Sequence, residues 1–175
     1  QLVALHSTIG QHKTAIMKQR ILDINPQCRV ITRENFMGVN EMASVLEGHY
    51  DAVVDAIDIK NCKLAFLTHA HRKGYNLYSS LGAGNRLDPT KVRSGDFFDS
   101  RHCRLAKALR KRLRHAGIHQ GIKAVWSDEL GRPPLLPLEE QAYERLPQGT
   151  ISTIPALFGI MLAGLVIKDM IDDSK

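Results

Sequence analysis

Residues 51–63, DAVVDAIDIKNCK, constrain the fold more than any other stretch. DAVVDAI is an apolar run of the kind that forms a strand covered on both sheet faces. NCKLAFLTHAHRKG, 61–74, follows at once as a helix ending in basic residues and Gly74, which suit the C-terminal dipole and cap. A covered strand feeding directly into a helix belongs to a βαβ unit, and so to a parallel sheet. The flanking chain keeps the rhythm. GQHKTAIMKQRILDI, 10–24, reads as a helix with Met17, Ile21 and Ile24 on one face, stopped by Asn25-Pro26. CRVITR, 28–33, reads as a strand and VNEMASVLEG, 39–48, as a short helix closed by Gly48. YNLYSSLG, 75–82, reads as the next strand. The fold class expected is α/β, a Rossmann-like, mainly parallel sheet flanked by helices.

The second half changes character. GAGNRLDPTKVRSGDFF, 82–98, mixes turn residues with a strand-like piece, and RHCRLAKALRKRLRHAG, 101–117, is a strongly basic helix. KAVWSDE, 123–129, reads as a strand. LGRPPLLPLEEQAYERLPQG, 130–149, holds four of the seven prolines and reads as a surface loop. ISTIPALFGIMLAGLVI, 151–167, carries no charge and is slightly shorter than the roughly 20 residues of a membrane span. Its first reading is a buried core helix with Pro155 in the first turn, and its second is membrane contact. With 175 residues, 43% hydrophobic and 24% charged, the chain can bury a real core and is not of the disordered class.

Chemistry concentrates at few positions. Asp58 lies where strand turns to helix, at the carboxyl end of its strand, which is where open parallel sheets bind ligands. A carboxylate there either caps the next helix or holds Mg²⁺ that bridges to substrate phosphates, and spacing alone leaves both open. Asp51 and Asp55 are weaker candidates, Asp55 as a hydrogen-bonded core or turn residue. Lys13 stands early in a helix, where the dipole disfavours a cation; it serves either a phosphate or only the solvent.

Charge points to a polyanion. The net charge is +6, and residues 101–115 hold seven Lys/Arg and no acid. Leu105, Leu109 and Leu113 form the apolar stripe, with Arg101, Arg104, Lys107, Lys111 and Arg114 on the opposite side. Such a face is either merely solvated or met by nucleic acid. Cys28, Cys62 and Cys103 form no CxxC pair, which gives no zinc site and fits a reducing, cytoplasmic compartment.

GQHKTAIMKQRILDINPQCRV, YDAVVDAIDIKNCKLAF and GAGNRLDPTKV together resemble the E1-like adenylating superfamily, the ThiF/MoeB/HesA group. Within it the chain is most similar to the tRNA threonylcarbamoyladenosine dehydratase branch, from Gln1 to about Ile171 and most loosely over 128–148. The Gly-Ala-Gly at 82–84, the Asp-Pro-Thr at 88–90 and Lys63 five residues after Asp58 are fairly specific to that branch. The paired CxxC motifs of many relatives are absent.

The resemblance implies an E1/ThiF-like fold, ATP and Mg²⁺ as cofactors, Lys13 on the ATP phosphates and Asp58 on Mg²⁺ and ATP. It places Lys63 among the catalytic, site-lining residues, and implies tRNA as partner of the 101–114 basic face. Ile59 departs from the Asn common beside that aspartate in sulfur-carrier activators. Cys103 departs from the residues usual at its position, so a catalytic thiol is not expected there. A homodimer is typical of the family, and a cysteine desulfurase or sulfur-acceptor system is a further partner it leaves open.

The expected reaction is ATP-dependent adenylation and cyclisation of the threonylcarbamoyl carboxylate of tRNA. The alternatives are adenylation of a ubiquitin-like sulfur carrier's C-terminus and a non-catalytic homologue. The chain begins QLVALHSTIG without Met and holds no GxGxxG after a strand. Residues 1–175 are therefore expected to be the C-terminal two-thirds of one adenylating domain, incomplete at the N-terminus.

Overall fold

The structure is a computed structural model that describes residues 3–133 and 149–172. The 130–149 loop expected from its prolines lies mostly outside them. The chain divides into two compact units, Gln1–Met37 and Gly38–Lys175.

The first unit holds a short 3₁₀ turn, His6–Thr8, and helix α1, Lys13–Ile24. The helix ends at Asn25, one residue before Pro26, as the sequence predicts. No residue of α1 is buried, and Met17 and Ile24 of the expected apolar face are 41% and 75% exposed. Residues 28–33 do not form the expected strand. A strand exists only through ladder bonds to a neighbour, and the described residues supply this segment with none.

The second unit carries α2 (Met42–Val45), β1 (Val53–Asp55), α3 (Lys60–Arg72), β2 (Leu77–Ser80), β3 (Val92–Asp96), α4 (Arg104–His115), β4 (Lys123–Ser127) and α5 (Thr153–Asp172). The sheet order is β1-β2-β4-β3. β1 with β2 and β2 with β4 are parallel, and β3 pairs antiparallel with β4. Gly95 lets β3 lie there: a Cβ would sit 3.1 Å from the Trp126 ring on β4.

Alternation sets the two sheet faces. Tyr78, Val92 and Val125 pack against Ile154, Phe158 and Leu162 of α5. Ser79, the neighbour of Tyr78, points to the other face, toward α3. α3 buries Cys62, Lys63, Phe66, Leu67 and Ala70, and Gly74 closes it at a φ of 73°, a left-handed value glycine takes without strain. β1 is less covered than its apolar run suggests, because Val54 is 52% exposed.

The expectation of a buried core helix at 151–167 is corrected in part. α5 is a helix with Pro155 in its first turn, but only Ile154, Phe158 and Leu162, spaced i, i+4, i+8, are buried. Ile160, Ile167 and Ile171 are 69%, 58% and 56% exposed. The helix is long and apolar enough to cross a membrane, with 17% of its apolar window buried.

The far end of α5 is tied to the sheet by Asp169. Its Oδ2 accepts from Lys123 Nζ and from Tyr78 Oη, each at 2.5 Å. The Lys123 bond first, then Tyr78, holds the Asp169 carboxyl below its ordinary value. A lowered carboxylate stabilises the fold above the unfolded value of about 3.9, and the contribution is lost as pH falls through the lower folded value. Asp169→Asn should therefore lower the neutral plateau of a melting-temperature profile and flatten its acid limb below about pH 4. An acid limb as steep as wild type would contradict the tie.

Candidate functional site at the carboxyl edge of the sheet

Three parallel strands, β1, β2 and β4, end on one edge of the second unit. The segments leaving them are 56–59, 81–91 and 128–133. Their carboxylates differ in what holds them.

Asp55 is 1% exposed and fully engaged. Its Oδ2 lies 2.5 Å from Lys63 Nζ and accepts from Ser79 Oγ at 2.7 Å, while Oδ1 accepts from Ile57 N at 2.9 Å. Lys63 is 0% exposed and also donates to the Ser80 carbonyl at 2.8 Å. A buried charge stands only when paired and hydrogen-bonded, and both charges here are. Asp55 is thus the hydrogen-bonded core residue expected. Lys63 departs from expectation: it lines no open surface, because its ammonium is drawn inward to Asp55. The pair joins β1, α3 and the end of β2, and through Ile57 it shapes the turn that carries Asp58.

The other edge carboxylates serve the loops. Asp88 accepts from Thr90 Oγ1 at 2.6 Å and Thr90 N at 2.9 Å, and these bonds hold its carboxyl below the ordinary value. Glu129 accepts from the N–H groups of Leu87 and Asp88 at 2.8 and 2.9 Å. Desolvation pushes Glu129 up, but the two N–H bonds and Arg132 outweigh it and the carboxyl is lowered. Asp128 takes the indole N–H of Trp126 at 2.8 Å.

Asp58 is different. It is exposed, and among the described residues it has no hydrogen bond or ion pair. It does not cap α3 either: the N-cap position is Ile59, and no side chain caps that helix. Of the two readings open from sequence, capping is not what the geometry shows. An exposed carboxylate at a parallel sheet's carboxyl edge is open to solvent and to a ligand. Among the described residues no group of three or more His, Cys, Asp and Glu could enclose a metal. Asp58 is thus a lone carboxylate, and a cation there would keep most of its waters.

Lys13 belongs to the first unit. It is exposed, at the first position of α1, with no acid in that helix's first turn.

The basic helix is as expected in outline. Arg101, Arg104, Lys107, Lys111 and Arg114 are exposed, and Ala106, Leu109 and Leu113 are buried, with Leu105 half-buried. Arg110 turns inward to Ser100, Arg112 donates to Asn61 Oδ1 at 2.8 Å, and Arg114 lies 5.3 Å from the Phe98 ring centre. No acid among the described residues pairs with any of these cations. Cys103 is 3% exposed and stands at the N-cap of α4, a structural place and not a nucleophile's.

Sequence reasoning passed over Asn85 and Arg86, between Gly-Ala-Gly and Asp-Pro-Thr. Asn85 holds a φ of 58°, and its N–H and Oδ1 pair with the carbonyl and N–H of Gly149 at 2.7 and 2.9 Å. Its own carbonyl accepts from Arg132 N at 2.9 Å. An Asn flanked by turn residues is a signal for the left-handed region.

Comparison with known proteins agrees with this architecture. The ThiF family pattern matches residues 1–174. The chain is 32% identical to the tRNA threonylcarbamoyladenosine dehydratase of Bacillus subtilis, over 99% of this chain and 71% of that protein. With the Escherichia coli enzyme of the same name it shares 34% identity over 65% of this chain and 42% of that protein. The crystal structure of the E. coli enzyme in complex with ATP superposes with a TM-score of 0.86 at 28% identity, covering 99% of this chain and 70% of that one. Its AMP complex superposes with a TM-score of 0.85. With its mixed, mainly parallel sheet flanked by helices and its match over almost every residue, the chain belongs to the ThiF family.

Proposed function

We propose that this chain forms the larger, C-terminal part of an ATP-dependent tRNA threonylcarbamoyladenosine dehydratase. The observation that carries the reading is Asp58: a carboxylate without a partner among the described residues, at the ligand edge of a ThiF-family sheet. The similarity to dehydratases, one of them solved with ATP, supports the branch. The chain matches 71% of the Bacillus relative, and its Gly-Ala-Gly turn after β2 does not continue into GxGxxG.

The chemistry has two steps. An oxygen of the threonylcarbamoyl carboxylate attacks the α-phosphorus of ATP, forming an acyl-adenylate and releasing pyrophosphate. A nucleophile of the same modified side chain then attacks the acyl carbon and loses its proton, and AMP leaves. The substrate closes a ring with net loss of water. Asp58 would hold Mg²⁺, and the ion would supply positive charge where it builds on the phosphates. Lys13, taken by itself in the first unit, is a cation of the kind that serves a phosphate. Lys63 takes part by position: it fixes Asp55 and with it the turn under Asp58. Ring closure is intramolecular, so orientation does most of the work.

The basic face of α4 receives the tRNA, supported by its exposed, acid-free cations. A homodimer and a cytoplasmic location accompany this reading. Charge reversal at Lys107 and Lys111 in the intact protein should weaken tRNA binding and flatten its salt dependence. For every phosphate no longer neutralised, the log–log slope falls by roughly 0.7 to 0.9. Filter binding across a salt series reads it, and an unchanged slope would show a helix face that is only solvated.

A further inference from the structure

A buried cation after β2 has no part in the chemistry above. Arg86 is 6% exposed. Its Nη1 donates to the carbonyls of Gly82 at 2.7 Å and Gly84 at 3.0 Å, and its Nη2 to that of His102 at 2.8 Å. Among the described residues its buried Nε has no partner, and no carboxylate pairs with it. Burying a guanidinium on neutral oxygens is costly. What the planar fork provides in return is simultaneous hold on two chain segments, which a lysine's single nitrogen matches poorly.

Those segments are the turn leaving β2 and the residues entering α4. Both contain backbone that needs holding. Asn85 and His102, with φ of 58° and 53°, are the non-glycine residues with positive φ among those described. One adjoins Arg86 in sequence, and the other gives it a carbonyl. A second approach runs the same way: a Cβ on Gly82 would lie 3.5 Å from Cys103 Sγ. Cys103 is the N-cap of α4, its sulfur 3.5 Å from Ala106 N.

We infer that Arg86 is a positioning residue that fixes the N-terminus of basic helix α4 against the turn leaving β2. The tRNA-facing side of α4 and the edge that carries Asp58 are thereby kept in one register. The inference rests on the reading of α4 as the tRNA face. A structural arginine alone would alter how much enzyme is folded; a positioning arginine alters how well folded enzyme takes tRNA.

The test is steady-state kinetics of the intact protein with Arg86→Lys, which keeps the charge and loses the fork, and Arg86→Met, which loses both. Arg86→Lys should raise the KM for tRNA about tenfold and leave that for ATP within about twofold. Arg86→Met should exceed it in the same direction, and where that variant fails to fold, the lysine variant carries the test. Both KM values unchanged, with only kcat lowered, would overturn the inference, as would equal rises for ATP and tRNA. Wild-type protein that turns over no tRNA overturns instead the functional reading, and does so before any variant is compared.

Discussion

Intact protein carrying Asp58→Asn should form acyl-adenylate about 100- to 1,000-fold more slowly than wild type, the scale on which one preorganised charge acts in such sites. The substitution keeps shape and removes only the charge. Asp58 is exposed and holds nothing among the described residues, so stability should change by no more than about 0.5 kcal/mol. The pairing of a large kinetic loss with an unchanged fold is what separates a site residue from a structural one. ATP–pyrophosphate exchange reads the first and denaturant unfolding the second. Wild-type exchange in Asp58→Asn would remove Asp58 from the site.

Lys63→Met should behave in the opposite way. It leaves the Asp55 carboxylate buried with only the Ser79 hydroxyl and the Ile57 N–H. Breaking a buried pair from one side costs about 3–5 kcal/mol, because the remaining charge is uncompensated. Replacing both partners, Lys63→Met with Asp55→Leu, should recover most of that loss, since no orphan charge remains. Activity should not return with stability, because the turn beneath Asp58 has lost the bond from Ile57 N to Asp55. A single variant as stable as wild type would contradict the account of Lys63. A double variant as active as wild type would show that the pair does not position Asp58.

How much of this was legible in the sequence depends on the range of the forces involved. The strand–helix junction at 51–63 and the basic helix at 101–117 are written in local periodicity, and both stand where the sequence puts them. Asp58 could be singled out because the end of a parallel strand is a defined place. Lys63 could be named but not placed. Its partner lies on the preceding strand, and whether an ammonium turns to solvent or to Asp55 is decided by packing of α3 on β1 and β2.

The segment 28–33 has strand composition and forms no strand, because pairing is non-local and composition carries no partner. The 151–167 run reads as buried, yet α5 buries one stripe, since apolar content fixes neither how many faces are covered nor by what. β3 lies antiparallel beside β4 with Gly95 close against Trp126, a proximity visible only once the strands are adjacent. Arg86 looks like any loop arginine until three carbonyls from two segments converge on it.

The central claim is the reaction itself. The most direct measurement is to incubate the intact protein with ATP, Mg²⁺ and tRNA bearing threonylcarbamoyladenosine, digest the tRNA, and weigh the modified nucleoside. The expected product is lighter by one water, formed only with ATP and accompanied by AMP and pyrophosphate in equal amounts. ATP–pyrophosphate exchange that leaves the nucleoside unchanged, and that proceeds instead with a protein C-terminus as acceptor, would contradict it.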